Sequence, residues 1–400
     1  MRLLILAPRF PYPLDKGDRL TVFHYIKHLS KLHEITLVTF ASRHQPEYLP
    51  LVRKHCSRLI VVPYSTSSSF TNFLKILPTA TPMQIAIYGY QRKMADALAE
   101  VLHHSPIDVA YCHTIRMAPY LATFQILPKV LGMQISLALN YRRLIRFSSS
   151  PLERLAYTLE FIKVRRYEAR TAALFHRVCI ISEKDKAELL RSSPFPLTNL
   201  EILPHGVDHN YFTPGDAGQR RPNLILMTGN MAYPPNRDAA IFFSRKVFPM
   251  ILNVEPDAKF MIVGRSPSYS LRQVADGRRI FVTGAVPDIR PYLRTAFVGV
   301  VPIRIAAGLQ NKLLEGMACA LPMVATPCAN EGVGAAPGRE VLLAEQPQSF
   351  AQAVLDLLSS PQTAFDLGFS GRLFVERQFT WEYFIEKLDR ILRSAGEIRD

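Results

Sequence analysis

PIRIAAGLQNKLLEGMACALPMVAT, residues 302–326, joins the end of one apolar strand to the start of another through a glycine-bearing turn and a helix. The preceding run AFVGVVPI feeds into Gly308, whose missing Cβ lets the backbone turn closely. Leu309, Gln310 and Asn311 then open a helix, and a helix start presents unpaired amides and the positive end of its dipole, as a phosphate prefers. Lys312 adds a full charge. Glu315 lies one turn further on, placed to reach back to sugar hydroxyls. The segment reads as a cradle for a phosphorylated, hydroxyl-rich ligand such as a nucleotide sugar. The plainer alternative is a solvated Lys–Glu pair on a helix between two strands.

Outward from this segment, short runs of β-branched and aliphatic residues recur with helical patterns between them. RLLILAP, EITLVTF, RLIVVPY, IDVAYCHT, PKVLGMQIS and RVCIIS occupy the first half; NLILMTG, AKFMIVG, RRIFVTG, FVGVVPI, LPMVAT and VLLAE occupy the second. Unbroken apolar runs of this length suit parallel strands covered on both faces, so two Rossmann-like α/β domains are the economical expectation. Glycine, proline and polar residues displace the periodic pattern over 203–223, which predicts a linker there and domains over 1–205 and 206–380.

Four hundred residues, 48% hydrophobic and 20% charged, suffice for two ordinary cores. No apolar run approaches the roughly 18 residues that suggest a membrane span. Pro8, Arg9, Pro11 and Pro13 cut the opening MRLLILA short, which predicts a buried strand rather than a signal peptide and a cytoplasmic chain. Cys56, Cys112, Cys179, Cys319 and Cys328 are odd in number, widely spaced and without a CxxC pair, so they read as buried apolar residues. With no HExxH or DxD pattern, no bound metal is expected. The formal charge of +15 calls for a polyanionic partner or surface. Phosphate-bearing substrates and anionic lipid both satisfy it, whereas no helix-turn-helix, RNP or zinc-finger pattern supports nucleic acid.

Segment 302–326 resembles the donor-binding signature of family 4 glycosyltransferases of the GT-B fold, and its GLQNKLLEGMA form is similar to the sugar transferases associated with exosortase/PEP-CTERM exopolysaccharide systems. The resemblance extends through LLILAPRFPYPLDKGDRL, ISEKD, LPHGVDHNYFTP, MTGNMAYPPNRDAAIFF, IVGRSP and VTGAVPDIRPYL. It implies two Rossmann-like domains with parallel sheets facing across a cleft, and a C-terminal helix (381–400) packing back on the first domain. It implies retaining, metal-independent transfer of a sugar from a nucleotide-sugar donor, with no cofactor, to a hydroxyl of a glycan or lipid-linked acceptor in exopolysaccharide or cell-surface polysaccharide synthesis. A GT-B nucleotide-sugar epimerase and a non-catalytic scaffold of a polysaccharide assembly complex are the alternatives.

The resemblance also distributes roles. Gly17 would approach the donor phosphates and His113, ending IDVAYCHT, would orient the reacting sugar; the alternatives are a turn glycine before a helix capped by Asp18 and a structural histidine. Gly229 and Asn230 would meet the diphosphate, although family members often carry an arginine where Asn230 stands and a lysine near Pro235-Asn236. Lys312 and Arg304 are the candidates to replace that charge. The first glutamate of the family's Glu-x7-Glu signature is absent, since Ala307 stands there, while Glu315 would bind the ribose hydroxyls. Gly264, Arg265, Asp288 and Ile289 would flank the base.

Eight Lys/Arg residues between Arg142 and Arg170 are interleaved with Tyr141, Phe147, Tyr157, Phe161 and Tyr167. The mixture predicts peripheral docking on an anionic membrane at the inner face of the cytoplasmic membrane; a core helix with a solvated basic face is the alternative. A second candidate is the stretch 69–85, with Phe70, Phe73, Leu74 and Leu77.

Overall fold

The computed structural model describes residues 1–14, 17–41, 46–64, 79–148, 150–305 and 308–397. Ala307, Phe70, Phe73, Leu74 and Leu77 lie outside the described residues. The chain divides into two compact units, one of residues 1–205 with 382–400 and one of residues 206–381.

Both units are built on parallel sheets with helices in the crossovers. The first sheet contains β1 (Arg2–Ala7), β2 (Glu34–Ala41), β3 (Arg58–Pro63), β4 (Val109–His113), β5 (Lys129–Gln134), β6 (Arg177–Ile180) and β7 (Leu200–Ile202), in the order β3-β2-β1-β4-β5-β6-β7. The second contains β8 (Leu224–Thr228), β9 (Lys259–Val263), β10 (Ile280–Val282), β11 (Val298–Val301), β12 (Met323–Ala325) and β13 (Leu342–Leu343), in the order β10-β9-β8-β11-β12-β13. Every strand expected from the apolar runs is present. β7 went unread because its three residues, Leu-Glu-Ile at a sheet edge, make no continuous run.

The central strands explain the apolar runs, since Leu3 to Ala7 of β1 and all five residues of β8 and of β4 are buried. Helices cover such strands on both faces, and burying one large aliphatic side chain contributes about 1.5–3 kcal/mol. In the second unit Phe243 packs on Phe260 at 4.5 Å and on Phe350 at 5.8 Å between centroids, closing the helical layer over the sheet. The helix Trp381–Gly396 joins the first unit, where Phe384, Ile385, Leu388 and Leu392 are buried and His33 Nε2 meets Asp389 Oδ1 at 2.6 Å.

In each sheet the strand order reverses direction once at the centre, between β1 and β4 and between β8 and β11. Successive crossovers leave such a point on opposite sides, so a crevice opens beyond the carboxyl ends of the two strands.

Candidate functional site

The carboxyl ends of β8 and β9 meet at two glycines. A Cβ on Gly264 would fall on the Gly229 carbonyl, and one on Gly229 would sit 2.9 Å from Asn236 Nδ2. Both residues have positive φ, 155° and 157°, so the close crossing and the backbone angle each require glycine. Asn230 continues the chain as a turn. Its Oδ1 accepts from Ala232 N at 3.1 Å, and its carbonyl accepts from buried Asn236 Nδ2 at 2.9 Å. Arg265 follows Gly264, half-buried, with its carbonyl receiving Met231 N at 3.0 Å.

Across the reversal point, the chain leaves β11 and turns at Gly308, where φ is 72°. Leu309 and buried Gln310 lead into the helix Asn311–Ala318. The far end of that helix is pinned: Arg372 Nη1 donates to the Ala318 carbonyl at 2.6 Å, and Arg220 Nη2 donates to those of Cys319 and Ala320 at 3.2 and 2.7 Å. These guanidiniums satisfy orphan carbonyls and complement the negative end of the dipole, which fixes where the amino end points.

Lys312 lies in the first turn, with Cε 3.5 Å from the position a Cβ on Gly229 would take. Its Nζ donates to Gln310 Oε1 at 2.9 Å, and among the described residues it makes no ion pair. The carboxyl of Glu315, one turn on, takes no hydrogen bond from a described residue, although the backbone carbonyl accepts from Cys319 N at 3.2 Å. Both are half-buried. Desolvation lowers the Lys312 ammonium to about 8, opposed by Glu315, and raises the Glu315 carboxyl to about 7, opposed by Lys312. Among the described residues, the result is a cation met by a neutral amide beside a carboxyl group with no donor.

The remaining candidates of this unit are engaged elsewhere. Arg304 forks onto Asp238, Nε to Oδ2 at 3.0 Å and Nη2 to Oδ1 at 2.6 Å, and lies over the Phe242 ring at 4.7 Å. An arriving diphosphate would have to share that guanidinium with Asp238, so Lys312 is the better placed charge. Asp288 pairs with Arg290 at 2.7 Å and accepts from its backbone N, and Ile289 precedes the helix Arg290–Thr295. Arg290 in turn lies 3.9 Å from the centre of the Tyr211 ring. The Arg290 side chain holds the Asp288 carboxyl below its usual range.

The other two candidates belong to the first unit. Gly17 opens the helix Gly17–Leu29 and is exposed. Asp18 is not its cap as the sequence suggests, because it sits inside the first turn and receives Arg9 Nη1 at 2.8 Å. His113 ends β4 fully buried, against the rings of Tyr25 and Tyr111, with neither ring nitrogen hydrogen-bonded to a described residue. Burial pushes its pKa down to about 4 despite Asp18, so the imidazole is neutral at pH 7. The next residue, Thr114, has φ 71°, a rare angle for a β-branched side chain.

Sequence reasoning missed Asn236 as the brace beneath Gly229, Asp238 as the partner of Arg304, and Arg9 and Arg116 in the first unit. Only tertiary packing brings these together. Among the described residues no group of three or more His, Cys, Asp or Glu could hold a metal.

Comparison with known proteins places these features. Residues 222–360, which contain both glycines, Lys312 and Glu315, match the family model "Glycosyl transferases group 1". An uncharacterized 44.6 kDa protein in the cps region of Klebsiella pneumoniae is 21% identical over 398 residues, 94% of this chain and 96% of that one. A GDP-mannose-dependent monoacylated alpha-(1-6)-phosphatidylinositol monomannoside mannosyltransferase of Corynebacterium glutamicum is 28% identical over 218 residues, 48% of this chain and 56% of the relative. The crystal structure of Anabaena HepE with UDP and glucose superimposes with a TM-score of 0.68 at 12% identity, covering 98% of this chain and 100% of that one. With these superpositions and two parallel Rossmann-like sheets the chain has the GT-B fold, and its second unit carries the match to the group 1 glycosyltransferase model.

Proposed function

We propose that the protein is a retaining, metal-independent transferase that moves a sugar from a nucleotide-sugar donor to a hydroxyl of a glycan or lipid-linked acceptor in exopolysaccharide or cell-surface polysaccharide synthesis. One observation carries the donor assignment: the half-buried Lys312 ammonium has a neutral amide for a partner, at a helix start beside two glycine-terminated strands. A nucleoside diphosphate supplies what this arrangement lacks. Its diphosphate meets the ammonium and the helix amides, and its ribose hydroxyls donate to Glu315. UDP bound to HepE, a protein of the same fold, supports a nucleotide donor.

Cleavage of the glycosyl bond leaves negative charge on the departing diphosphate, and preorganised donors there stabilise it most. Lys312 and the amides of the first helical turn do this in the second unit. His113, in the first unit, is neutral and fully buried, so it does not reach a ligand hydroxyl from where it stands. The test is donor turnover with UDP-, GDP- and ADP-sugars in the presence of EDTA. Nucleotide release that requires acceptor supports the proposal; epimerised donor, binding without turnover, or loss of activity in EDTA each overturns a part of it.

Peripheral docking on an anionic membrane belongs to the same reading, with the basic residues and Phe147 that the sequence suggested but with a row of leucines in place of the other aromatic rings. Tyr141 is buried, and Tyr157, Phe161 and Tyr167 pack against the first unit's core. The exposed apolar side chains are Leu152 (80% exposed), Leu155, Leu159 and Ile162, one row along the helix Pro151–Ala172, with Phe147 nearby in sequence and exposed Arg146, Arg154, Arg165 and Arg166 around it. Arg142 pairs with buried Glu188 at 2.8 Å and is unavailable. Sedimentation with anionic vesicles at low salt, lost on changing Leu152, Leu155 and Leu159 to serine, is the expected result. A protein that stays in the supernatant refutes it.

A further inference from the structure

The reversal point of the first sheet carries a charge cluster that the donor reading does not use. Arg9 lies two residues past β1, and Arg116 three residues past β4. Thr114, at φ 71°, turns the chain back across the strand end, so that Arg116 in the following 3-10 turn returns toward Arg9. Both guanidiniums lie over one ring, that of Tyr88, at 5.8 and 6.0 Å from its centre.

Their partners differ. Arg9 donates to Asp18 at 2.8 Å and to Tyr88 Oη at 3.1 Å. Arg116 donates to Gln84 Oε1 at 2.6 Å and, among the described residues, meets no carboxylate. Gln84 is itself oriented by its Nε2 donating to Tyr141 Oη at 3.3 Å. Two cations thus share one ring with one carboxylate between them, and the Tyr88 hydroxyl, an acceptor for Arg9, keeps its proton to donate. Burial acts most strongly against the charged form of Arg116, and Arg9 adds to it, opposed by Tyr88 and Asp18. An anion in the crevice would relieve that repulsion.

We infer that Arg9, Arg116 and the Tyr88 hydroxyl form an oxyanion subsite that takes a phosphate group carried by the acceptor. Guanidiniums match phosphate oxygens in pairs, and the beginning of a sheet crevice is where an open α/β unit binds its ligand. The assignment rests on the transferase reading for the word acceptor, but its residues belong to the first unit alone, so the two stand or fall separately.

The test is calorimetric titration of the full chain with butyl phosphate, inorganic phosphate and butanol. Variants are Arg9→Gln, Arg116→Gln, Arg116→Lys and Lys312→Ala; thermal melting checks that each folds, and nucleoside diphosphate binding (UDP, GDP, ADP) checks the second unit in the three arginine variants. Butyl phosphate is expected to bind where butanol does not, with inorganic phosphate competing. Affinity should drop at least tenfold in both glutamine variants, recover in part in Arg116→Lys and stay unchanged in Lys312→Ala. Unchanged affinity in Arg9→Gln and Arg116→Gln overturns the subsite. So does loss in Lys312→Ala, which would put the phosphate in the donor site, or binding of inorganic phosphate with butyl phosphate excluded, which would leave no room for an acceptor. Binding of butyl phosphate through Arg116 with no uptake of any nucleoside diphosphate would sink the donor reading and keep this one.

Discussion

The two sheets reverse at comparable points, yet the chain furnishes them in opposite ways. Beside the reversal between β8 and β11 it removes side chains: Gly229, after β8, and Gly264, after β9, cross without Cβ atoms, leaving backbone amides and one ammonium, Lys312, for the proposed donor. Between β1 and β4 it adds them: Arg9, Arg116 and buried His113 crowd the strand ends around Tyr88 and Tyr111. A bare backbone and a helix start recognise what all nucleoside diphosphates share. Side chains recognise what differs between ligands, so the proposed acceptor subsite of the first unit is where we place specificity.

The comparison breaks most visibly at the crossing of the second unit. Gly264→Ala places a methyl group on the Gly229 carbonyl and should destabilise that unit by ~3 kcal/mol or more, a loss of the strained-backbone and overpacking kind. Gly218→Ala, with open space around it, should leave the denaturation midpoint unmoved. Next in size, Lys312→Ala should weaken nucleoside diphosphate binding about a hundredfold, ~2.7 kcal/mol, while the melting curve persists. A loss of less than threefold by titration would place the phosphates elsewhere.

The first unit gives the third effect, through pH. With a folded pKa of about 4 for His113 against an ordinary 6.5, the unfolded chain binds a proton between those values that the folded chain refuses. Stability therefore falls as pH drops through this window, and His113 should account for ~2 kcal/mol of the loss from pH 6.5 to 5. His24, pushed to about 3 by burial, contributes with the same sign, so the measurement is the difference between wild type and His113→Gln in urea melts at both pH values. Identical slopes would mean that His113 is not shielded from solvent. The smallest change is Glu315→Gln, an amide that keeps one acceptor, which should cost about tenfold or less in affinity for ribonucleotides and nothing for 2′,3′-dideoxy analogues. Equal losses for both would separate Glu315 from the ribose.

What could be read in the sequence was whatever repeats or sits close in the chain. Continuous apolar runs announced parallel strands, and Gly308, Lys312 and Glu315 fall within eight residues of one another, so the helix start was legible without a structure. Partners distant in the chain were not. Nothing local marks Asp238 as the acceptor for Arg304, or Arg9 and Arg116, 107 positions apart, as neighbours on one tyrosine. The basic stretch near residue 150 was legible only in part, for a related reason. Aromatic rings interleaved with arginine suggest a surface, but the tight packing of the helices Leu137–Phe147 and Pro151–Ala172 takes Tyr141, Tyr157 and Tyr167 inward and turns leucines out.

The measurement that bears most directly on this division of labour is a crystal structure of the full chain with a nucleoside diphosphate. A β-phosphate oxygen about 2.8 Å from Lys312 Nζ, with the Gln310 contact released and the ribose hydroxyls on Glu315, is the predicted result. A diphosphate lodged on Arg9 and Arg116, with Lys312 still bound to Gln310, would contradict it.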